Sequence, residues 1–308
     1  MTIRRAIKWF GVLWLVFGPW GLSPQFAWSQ ETGFAHLRLP AGAVGSALGD
    51  AVAVLSGYDA ICRQPAVLDR LPVGGAATHR IWLSSQRTYT LAVRTPLRGV
   101  GVCVSGLDYG ELEAREAPGP AIGTFSARYV TAGVGLGRSV GRYAFGGMIR
   151  WLGEELETAR ATGWSFDVGI QAQFFDGDLL LGALIQHVGE METLSQQRTQ
   201  LPSTVRAGAT ASVFHLTGED GREIVNAALL VEHSYLWVDG LHRWHIGTET
   251  TLFTEGVIRM GYTTGSALHG FTAGLGFTQD RIRVDYALVP FKQGFGGSGH
   301  VFSVSLVR

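Results

Sequence analysis

The sequence has little charge, only two cysteines and, beyond its first thirty residues, no long apolar run. Charged residues make up 16% of the 308 residues, whereas soluble proteins usually carry about a quarter. Basic and acidic residues are equal at 25 each, so no basic excess points to nucleic acid as a partner. Cys62 and Cys103 are too few for a disulfide framework. The sequence leaves open whether they pair, and we favour two separate thiols.

The first 29 residues form a pattern typical of a cleaved signal peptide. Basic residues occur at positions 4, 5 and 8, an apolar run covers 9–22, and Ala27, Trp28 and Ser29 form a small-x-small cleavage site. We therefore predict that residues 1–29 direct export and that the mature chain begins at Gln30.

The rest of the chain is apolar but contains no candidate for a membrane-spanning helix. After Ser29 no stretch reaches the roughly 18 to 20 apolar residues that such a helix needs. Only helices and closed barrels can satisfy every backbone polar group inside lipid. A β-barrel is therefore the remaining way for this chain, with its 43 glycines, to cross a membrane.

From about residue 78 the chain divides into segments in which apolar residues alternate with small or polar ones. Phe166, Val168 and Ile170, for example, alternate with Asp167 and Gly169. One face of each segment fits lipid and the other fits a packed or wet lumen, as in transmembrane barrels. We predict an all-β fold, a transmembrane antiparallel β-barrel of about fourteen strands. The predicted strands are 78–86, 88–96, 99–108, 122–138, 142–153, 163–175, 179–188, 203–214, 223–236, 242–252, 255–263, 269–277, 281–289 and 300–308.

The lengths of the connections distinguish a membrane barrel from a soluble β-sandwich, whose strands also alternate. Long connections are predicted after strands three, five, seven, eleven and thirteen. They lie around Leu112, Glu155, Leu194, Ser266 and Phe295. Connections after even-numbered strands are short, on the side that holds both termini, which is the rule for outer-membrane barrels. A sandwich has no reason to follow this rule.

Residues 30–77 are predicted to form an N-terminal plug or hatch with a short helix. Apolar residues recur at spacings of four, three and four, which predicts a helix over 41–61. They are Val44, Leu48, Ala51 and Leu55. Two interpretations stay open: a plug inside the barrel mouth, which we favour because a lumen of this size would otherwise be open, and a helix that caps the barrel base. The expected plug residues are Gly42, Gly45, Gly49, Asp59 and Pro65.

Several charged residues fall on the predicted lumen face of the strands. They are Arg206, Glu232, Glu249, Arg259, Arg283 and Asp285. We favour a compensating charge ladder across adjacent strands, and the alternative is a polar lining that selects a cargo.

The chain resembles the PorV/PorQ family, which is itself similar to the FadL-type barrels. The resemblance covers most of the mature chain and is carried by Leu107-Asp108-Tyr109-Gly110, Gly163-Trp164-Ser165-Phe166-Asp167 and, above all, Asp285-Tyr286-Ala287-Leu288-Val289-Pro290-Phe291. Three features depart from the family pattern: Gln64-Pro65-Ala66-Val67 in place of its Asn-Pro-Ala-Gly turn, Gly57-Tyr58 in place of the usual acidic pair of the plug, and Arg308 in place of a final aromatic residue.

The resemblance implies one of two functions at the cell outer membrane. One is FadL-like transport of a hydrophobic small molecule, and the other is a binding or shuttle component of a type IX-like protein secretion system without channel activity. The expected partners are outer-membrane lipid, the barrel-assembly machinery, and either a hydrophobic ligand or secreted proteins. No nucleophile, base or metal-ligand set is apparent in the sequence, so we predict that the chain is not an enzyme and has no catalytic residues, cofactor or metal.

Overall fold

The structure is a computed structural model that describes residues 34–83, 86–114, 122–157, 159–194, 197–198, 200–219, 221–292, 294 and 296–307. The predicted signal peptide and Arg308 lie outside these residues. Fourteen antiparallel strands close into a barrel, and two short strands, β8 (Thr193–Leu194) and β9 (Gln197–Arg198), form a separate hairpin. The wall strands are β1 (Gly74–Ile81), β2 (Arg87–Arg94), β3 (Val100–Ala114), β4 (Gly123–Val140), β5 (Tyr143–Leu156), β6 (Ala159–Phe174), β7 (Leu179–Met191), β10 (Thr204–Thr217), β11 (Glu223–Leu236), β12 (Leu241–Leu252), β13 (Gly256–Thr263), β14 (Phe271–Gln279), β15 (Ile282–Pro290) and β16 (Ser298–Val307).

The barrel closes between its first and last strands. β1 pairs with β16 in a register that sets Gly74 opposite Val307, and with β2 on its other side. Because the ring is complete, no wall strand presents an unpaired edge. The predicted fourteen-stranded antiparallel barrel is confirmed, although its first strand begins at Gly74 rather than at residue 78.

The outer face of the wall is apolar and the inner face is buried against the lumen contents. Val168 on β6 is 62% exposed and Leu275 on β14 is 58% exposed, whereas Asp167, the neighbour of Val168, is 1% exposed. Such a continuous apolar exterior is stable in lipid and would aggregate in water. The alternation in the sequence therefore separates the lipid face from the lumen face. Within the described part of the chain, no helix combines the length and apolar character needed to span a membrane.

The connections differ in length at the two ends of the barrel. The end that holds Gly74 and Val307 has only short turns, among them 141–142 and 280–281, whereas the other end includes the connection 192–203. The predicted long connection around Glu155 is wrong, because β5 ends at Leu156 and β6 begins at Ala159. β5 and β6 therefore stay paired as one long hairpin. In its last part, polar residues occur on both faces and the alternation of apolar residues stops.

The N-terminal segment fills the lumen. Its upper end, Phe34 and Leu37, packs against Leu152 and Met191 in the long-connection half of the barrel. Its lower end reaches the short turns, where Asp69 accepts a hydrogen bond from the Ser139 backbone. Residues 34–71, called the plug below, therefore run through the barrel from one end towards the other.

The plug is mostly irregular, which corrects the prediction of a helix over 41–61. Its α-helix, α1, covers only Ala43–Ala47, and 3₁₀ turns follow at Tyr58–Ala60 and Pro65–Asp69. Gly49 and Asp50 adopt positive φ of 68° and 64°, which ends the helical path. The helical spacing reflects apolar residues that share a side of the plug, not a continuous helix.

Glycines on the inner face of the wall let the plug backbone touch the strands. A Cβ at Gly261 would lie 2.1 Å from the Gly49 nitrogen, and one at Gly182 would lie 2.1 Å from the Ala53 oxygen. At other inner-face glycines an added Cβ would lie between 1.8 and 3.0 Å from a plug atom. They are Gly101, Gly137, Gly146, Gly169, Gly247 and Gly274. No residue with a side chain fits at such distances, so part of the glycine content of the strands is explained by the plug.

Neighbouring glycines on β5 test this explanation. A Cβ at Gly146 would lie 2.3 Å from the Pro65 carbonyl carbon, whereas one at the outward Gly147 has its nearest neighbour at 3.8 Å. We expect Gly146→Ala to destabilise the folded barrel by about 1–3 kcal/mol, as overpacking does, and Gly147→Ala to have little effect. The temperature at which unheated samples lose the fast-migrating folded band on SDS gels measures the difference. Equal transitions for the two variants would show that the plug does not press on the wall at this point.

Candidate functional site: the plugged lumen

Buried side chains of the wall hydrogen-bond to the plug backbone. The Glu232 carboxylate on β11 is fully buried and accepts hydrogen bonds from the Val52 and Ala53 nitrogens at 2.9 and 2.6 Å. Its other oxygen binds Arg206 at 2.7 Å, and Arg206 donates in turn to the Asp50 carbonyl. One carboxylate therefore satisfies two backbone donors and is itself neutralised.

Neighbouring wall strands use amide side chains in the same way. Gln171 on β6 donates to the carbonyls of Ala53 and Leu55, and Gln186 on β7 donates to the Arg63 carbonyl. These interactions satisfy carbonyl groups that an irregular segment cannot pair with itself.

A charged group on β5 to β7 supports the plug near Cys62. Arg150 donates to the Cys62 carbonyl and to Asp167, each at 2.8 Å. The other Asp167 oxygen accepts the His187 backbone N–H at 2.7 Å. His187 has a positive φ of 58° and lies where β6 and β7 shift register. This β-bulge directs both His187 and Gln186 to the inside, which regular alternation would not allow.

The turn at Gly49 is fixed from the opposite side of the barrel. Its carbonyl accepts a hydrogen bond from Thr263 and lies 2.6 Å from the His245 ring, and its N–H donates to Thr272. Asp50 binds His269 at 2.7 Å. The strained left-handed turn is thus held by wall groups on β12, β13 and β14.

A disulfide joins the plug to the wall. Cys62 in the plug is bonded to Cys103 on β3, 41 positions further along the sequence. The interpretation of two separate thiols is therefore wrong. Their pairing depends on the plug lying inside the barrel, which brings together two cysteines that no local motif connects. A stable disulfide agrees with an exported protein in an oxidising compartment.

The predicted plug residues lie inside the barrel, and most have defined contacts. Gly42 stands where a Cβ would overlap the Asp59 carboxylate, and Gly45 packs against the Ala51 carbonyl and Leu55. Asp59 accepts a hydrogen bond from the Val44 nitrogen. Burial and the nearby Asp285 raise the pKa of the Asp59 carboxyl above its usual value. Pro65 opens the 3₁₀ turn that packs on the wall glycines.

The six predicted lumen charges all point inward, in two groups. Arg206 and Glu232 form the pair that holds the plug. Arg259 binds Glu249 at 2.6 Å and Asp285 at 2.7 Å, and Arg283 binds Asp285 at 2.8 Å. The second group is a ladder across β12, β13 and β15, but its exposed members, Glu249 and Arg283, also line a cavity. The sequence reasoning missed Arg150, Gln171, Gln186 and His245, whose only signal was a polar residue on the inner face of an alternating strand.

A large cavity lies between the plug and the wall, at the short-turn end of the barrel. Its volume is about 440 Å³. One side is apolar and the other is charged. The apolar side includes Val44, Leu48 and Leu55 of the plug and Leu180 and Leu230 of the wall, and the charged side includes Asp59, Glu249, Arg281, Arg283 and Asp285. The turn residues Gly177 and Asp280 also line the cavity. It therefore opens at the short-turn end of the barrel, which holds Gly74 and Val307.

No protein-family model matches the chain, and no curated protein matches its sequence. Several solved structures resemble it weakly. CdiB from Acinetobacter baumannii is 12% identical over 76% of this chain and 59% of CdiB, with a TM-score of 0.41, so the chain spans about three fifths of that protein. The KdgM porin in complex with disordered oligogalacturonate is 7% identical over 77% of this chain and 99% of the porin, with a TM-score of 0.36. The outer membrane phospholipase A from Escherichia coli is 10% identical over 80% of this chain and 98% of the phospholipase, with a TM-score of 0.33. The fold assignment rests on the hydrogen-bonded closure of the wall.

Removal of the Glu232 carboxylate is expected to loosen the plug. Glu232→Ala leaves the Val52 and Ala53 N–H groups and Arg206 without their acceptor, and loss of one partner from a buried ion pair costs about 3–5 kcal/mol. We expect larger and more frequent openings in planar-bilayer conductance. Glu249→Ala is the matched control, because Glu249 is partly exposed and its partner Arg259 keeps Asp285. Identical conductance in wild type and Glu232→Ala would exclude a role for Glu232 in plug retention.

Proposed function

We propose that the chain is an outer-membrane barrel that moves a hydrophobic small molecule with one polar end across the membrane. The short turns then face the periplasm, as is the rule for such barrels. The observation that supports the proposal is the cavity of about 440 Å³ with an apolar side and a charged side. Ligand pockets of several hundred Å³ with a few placed polar groups are typical of small-molecule sites.

The chemistry of the lining indicates what kind of molecule fits. Leu48, Leu180 and Leu230 can bury a hydrocarbon chain, with each buried methylene worth about 0.8 kcal/mol. Arg283 binds the Asp285 carboxylate, and Arg281 and Glu249 line the same cavity, so a polar or anionic end of the ligand can exchange with an existing ion pair. A purely hydrophilic solute gains nothing from the apolar side.

Transport requires that the plug move, since it separates the cavity from the long-connection end. The plug is held by hydrogen bonds, apolar packing and one disulfide, and the disulfide tethers the plug without fixing its whole length. Residues 34–61 can shift while Cys62 stays on β3. Replacing Gly45 or Gly49 by a bulky residue is a poor test, because both glycines pack on backbone atoms and the plug itself would be disrupted.

Two adjacent leucines on β7 give a cleaner test. Leu180 faces the cavity, and Leu181 is 39% exposed on the lipid side. We expect Leu180→Trp to fill the apolar side and reduce binding of a radiolabelled long-chain fatty acid at least about tenfold, which corresponds to 1.4 kcal/mol. Leu181→Trp should bind as wild type does. Binding is measured with purified protein in detergent. Uptake of the fatty acid is then measured in cells that carry each of the two variants.

The proposal fails if Leu180→Trp, folded by its gel mobility, binds and transports a panel of apolar acids, alcohols and hydrocarbons as well as Leu181→Trp does. Failure of all proteins, including wild type, to bind any member of the panel would contradict it equally.

A second candidate function is a binding or shuttle component of a type IX-like secretion system. The observation that favours it is a lumen occupied by a covalently tethered plug, together with the β5–β6 and β8–β9 hairpins at the long-connection end, which are surfaces on which other proteins can dock. It predicts that crosslinking in cells recovers exported proteins that carry that system's C-terminal signal. Shortening the connection 192–203 should abolish their recovery while the barrel still folds. Recovery that is absent from the wild type, or unchanged after shortening, would contradict it.

A further inference from the structure

A second, much smaller cavity lies between the plug and strands β1 to β5. Its volume is about 20 Å³, enough for one or two water-sized particles. Three arginines line it: Arg63 from the plug, Arg80 from β1 and Arg150 from β5. All three are at most 8% exposed. The two cysteines of the disulfide also line this cavity. It is separate from the large cavity of the proposed transport path.

The positive charge around this cavity is only partly neutralised. Arg150 pairs with Asp167. Arg63 instead donates to the Leu39 and His36 carbonyls and contacts the His187 ring. Arg80 donates to the Pro40 carbonyl and to the Ser46 hydroxyl. Among the described residues no carboxylate lies within ion-pair distance of Arg63 or Arg80; Asp167 acts on Arg63, and Asp50 and Asp59 act on Arg80, only from further away.

Buried cations without a counter-charge are costly, since desolvation is not repaid by neutral acceptors. The nearby arginines also affect the pKa of a plug residue that lines the cavity, His36. Burial, followed by Arg63, Arg150 and Arg80, lowers the pKa of His36 to about 3, so this imidazole is neutral. A negative charge at the centre of the group would relieve the mutual repulsion of the three guanidinium groups.

The remaining lining offers hydrogen-bond donors and no carboxylate. Hydroxyl groups come from β2, β3 and β4: Thr88, Thr90, Ser105 and Thr131. Several polar atoms of the lining residues are buried without a partner among the described residues. They are Arg80 Nε, Arg150 Nε, Thr88 Oγ1 and both ring nitrogens of His36. Donors outnumber acceptors, which is the composition of an anion site and not of a cation site.

We propose that this cavity binds a small monovalent anion, with chloride as the physiological occupant, and that the anion fixes the plug to the wall. The small size of the cavity favours a single-atom anion over phosphate, sulfate or a carboxylate. The anion bridges Arg63 of the plug to Arg80 and Arg150 of the barrel, beside the Cys62–Cys103 bond. It supplies a negative charge in direct contact with Arg63 and Arg80, which no carboxylate of the described residues does.

Bromide substitution tests the site directly. The purified full-length mature protein is crystallised in detergent with sodium bromide in place of chloride, and anomalous scattering at the bromine edge locates the halide. We expect a peak between Arg63, Arg80 and Arg150. Density for water alone, with no anomalous peak at this position, would overturn the proposal.

Thermal unfolding gives the second measurement and does not depend on transport. We expect the wild type to melt a few degrees higher in sodium chloride than in sodium gluconate at the same concentration, because a ligand that binds only the folded state stabilises it. Arg80→Gln should lose this difference, whereas Arg80→Lys should keep part of it. Arg98→Gln is the matched control, because the Arg98 side chain is 70% exposed.

The comparison in gluconate separates an anion site from a merely structural arginine. An arginine needed only for its hydrogen bonds would make Arg80→Gln less stable in both salts, and the chloride difference would survive. Thr88→Val, which removes a donor and no charge, should weaken the chloride effect while the protein still folds. An equal chloride effect in wild type, Arg80→Gln and Thr88→Val would contradict the proposal, whatever the outcome of the fatty-acid measurements.

Discussion

The structure depends on one constraint: an irregular chain segment inside a closed barrel must find partners for its backbone polar groups. A barrel strand pairs with its neighbours, but the plug has only five residues of α-helix and three short turns. The partners come from the wall, through Glu232, Gln171, Gln186, His245 and Arg150. Each presents a side chain from a strand whose outer face meets lipid. The lumen is therefore polar because the plug is irregular, and the charge in it is placed where the backbone needs it.

The same constraint explains why small and polar residues alternate with large apolar ones on the wall. Where the plug runs close, the inner position is glycine, as at Gly146 and Gly261; where it stands further away, the inner position carries a donor or acceptor. Where the plug stands away from the wall, next to β12, β13 and β15, Glu249, Arg259, Arg283 and Asp285 neutralise one another and leave the large cavity. The path of the plug thus determines which residues the wall carries at its inner positions. The space left between plug and wall determines what can bind.

The wall was largely predictable from the sequence, and the plug was not. Lipid demands a strict two-residue period, so β11 was predicted at its observed bounds and most other strands within a few residues. The alternation ends where strands leave the membrane, which is why the hairpin at Glu155 was taken for a loop. The plug has no period imposed by lipid. Its bonds join residues far apart, such as Val52 with Glu232, and neither these pairs nor the Cys62–Cys103 bond follows from any local pattern. The spacing of Val44, Leu48 and Leu55 was real, but it marks the side of the plug that lines the cavity.

The disulfide has a topological consequence for how the molecule is assembled. The bond between Cys62 and Cys103 closes a covalent ring that contains the end of the plug and the whole of β1 and β2. The seam of the barrel, between β1 and β16, therefore has this ring on one side. A barrel that closes along that seam encloses a plug that is bonded to its third strand, and a barrel opened along the seam still carries its plug. The plug travels with the N-terminal strands as one unit, and insertion into a finished cylinder is not required.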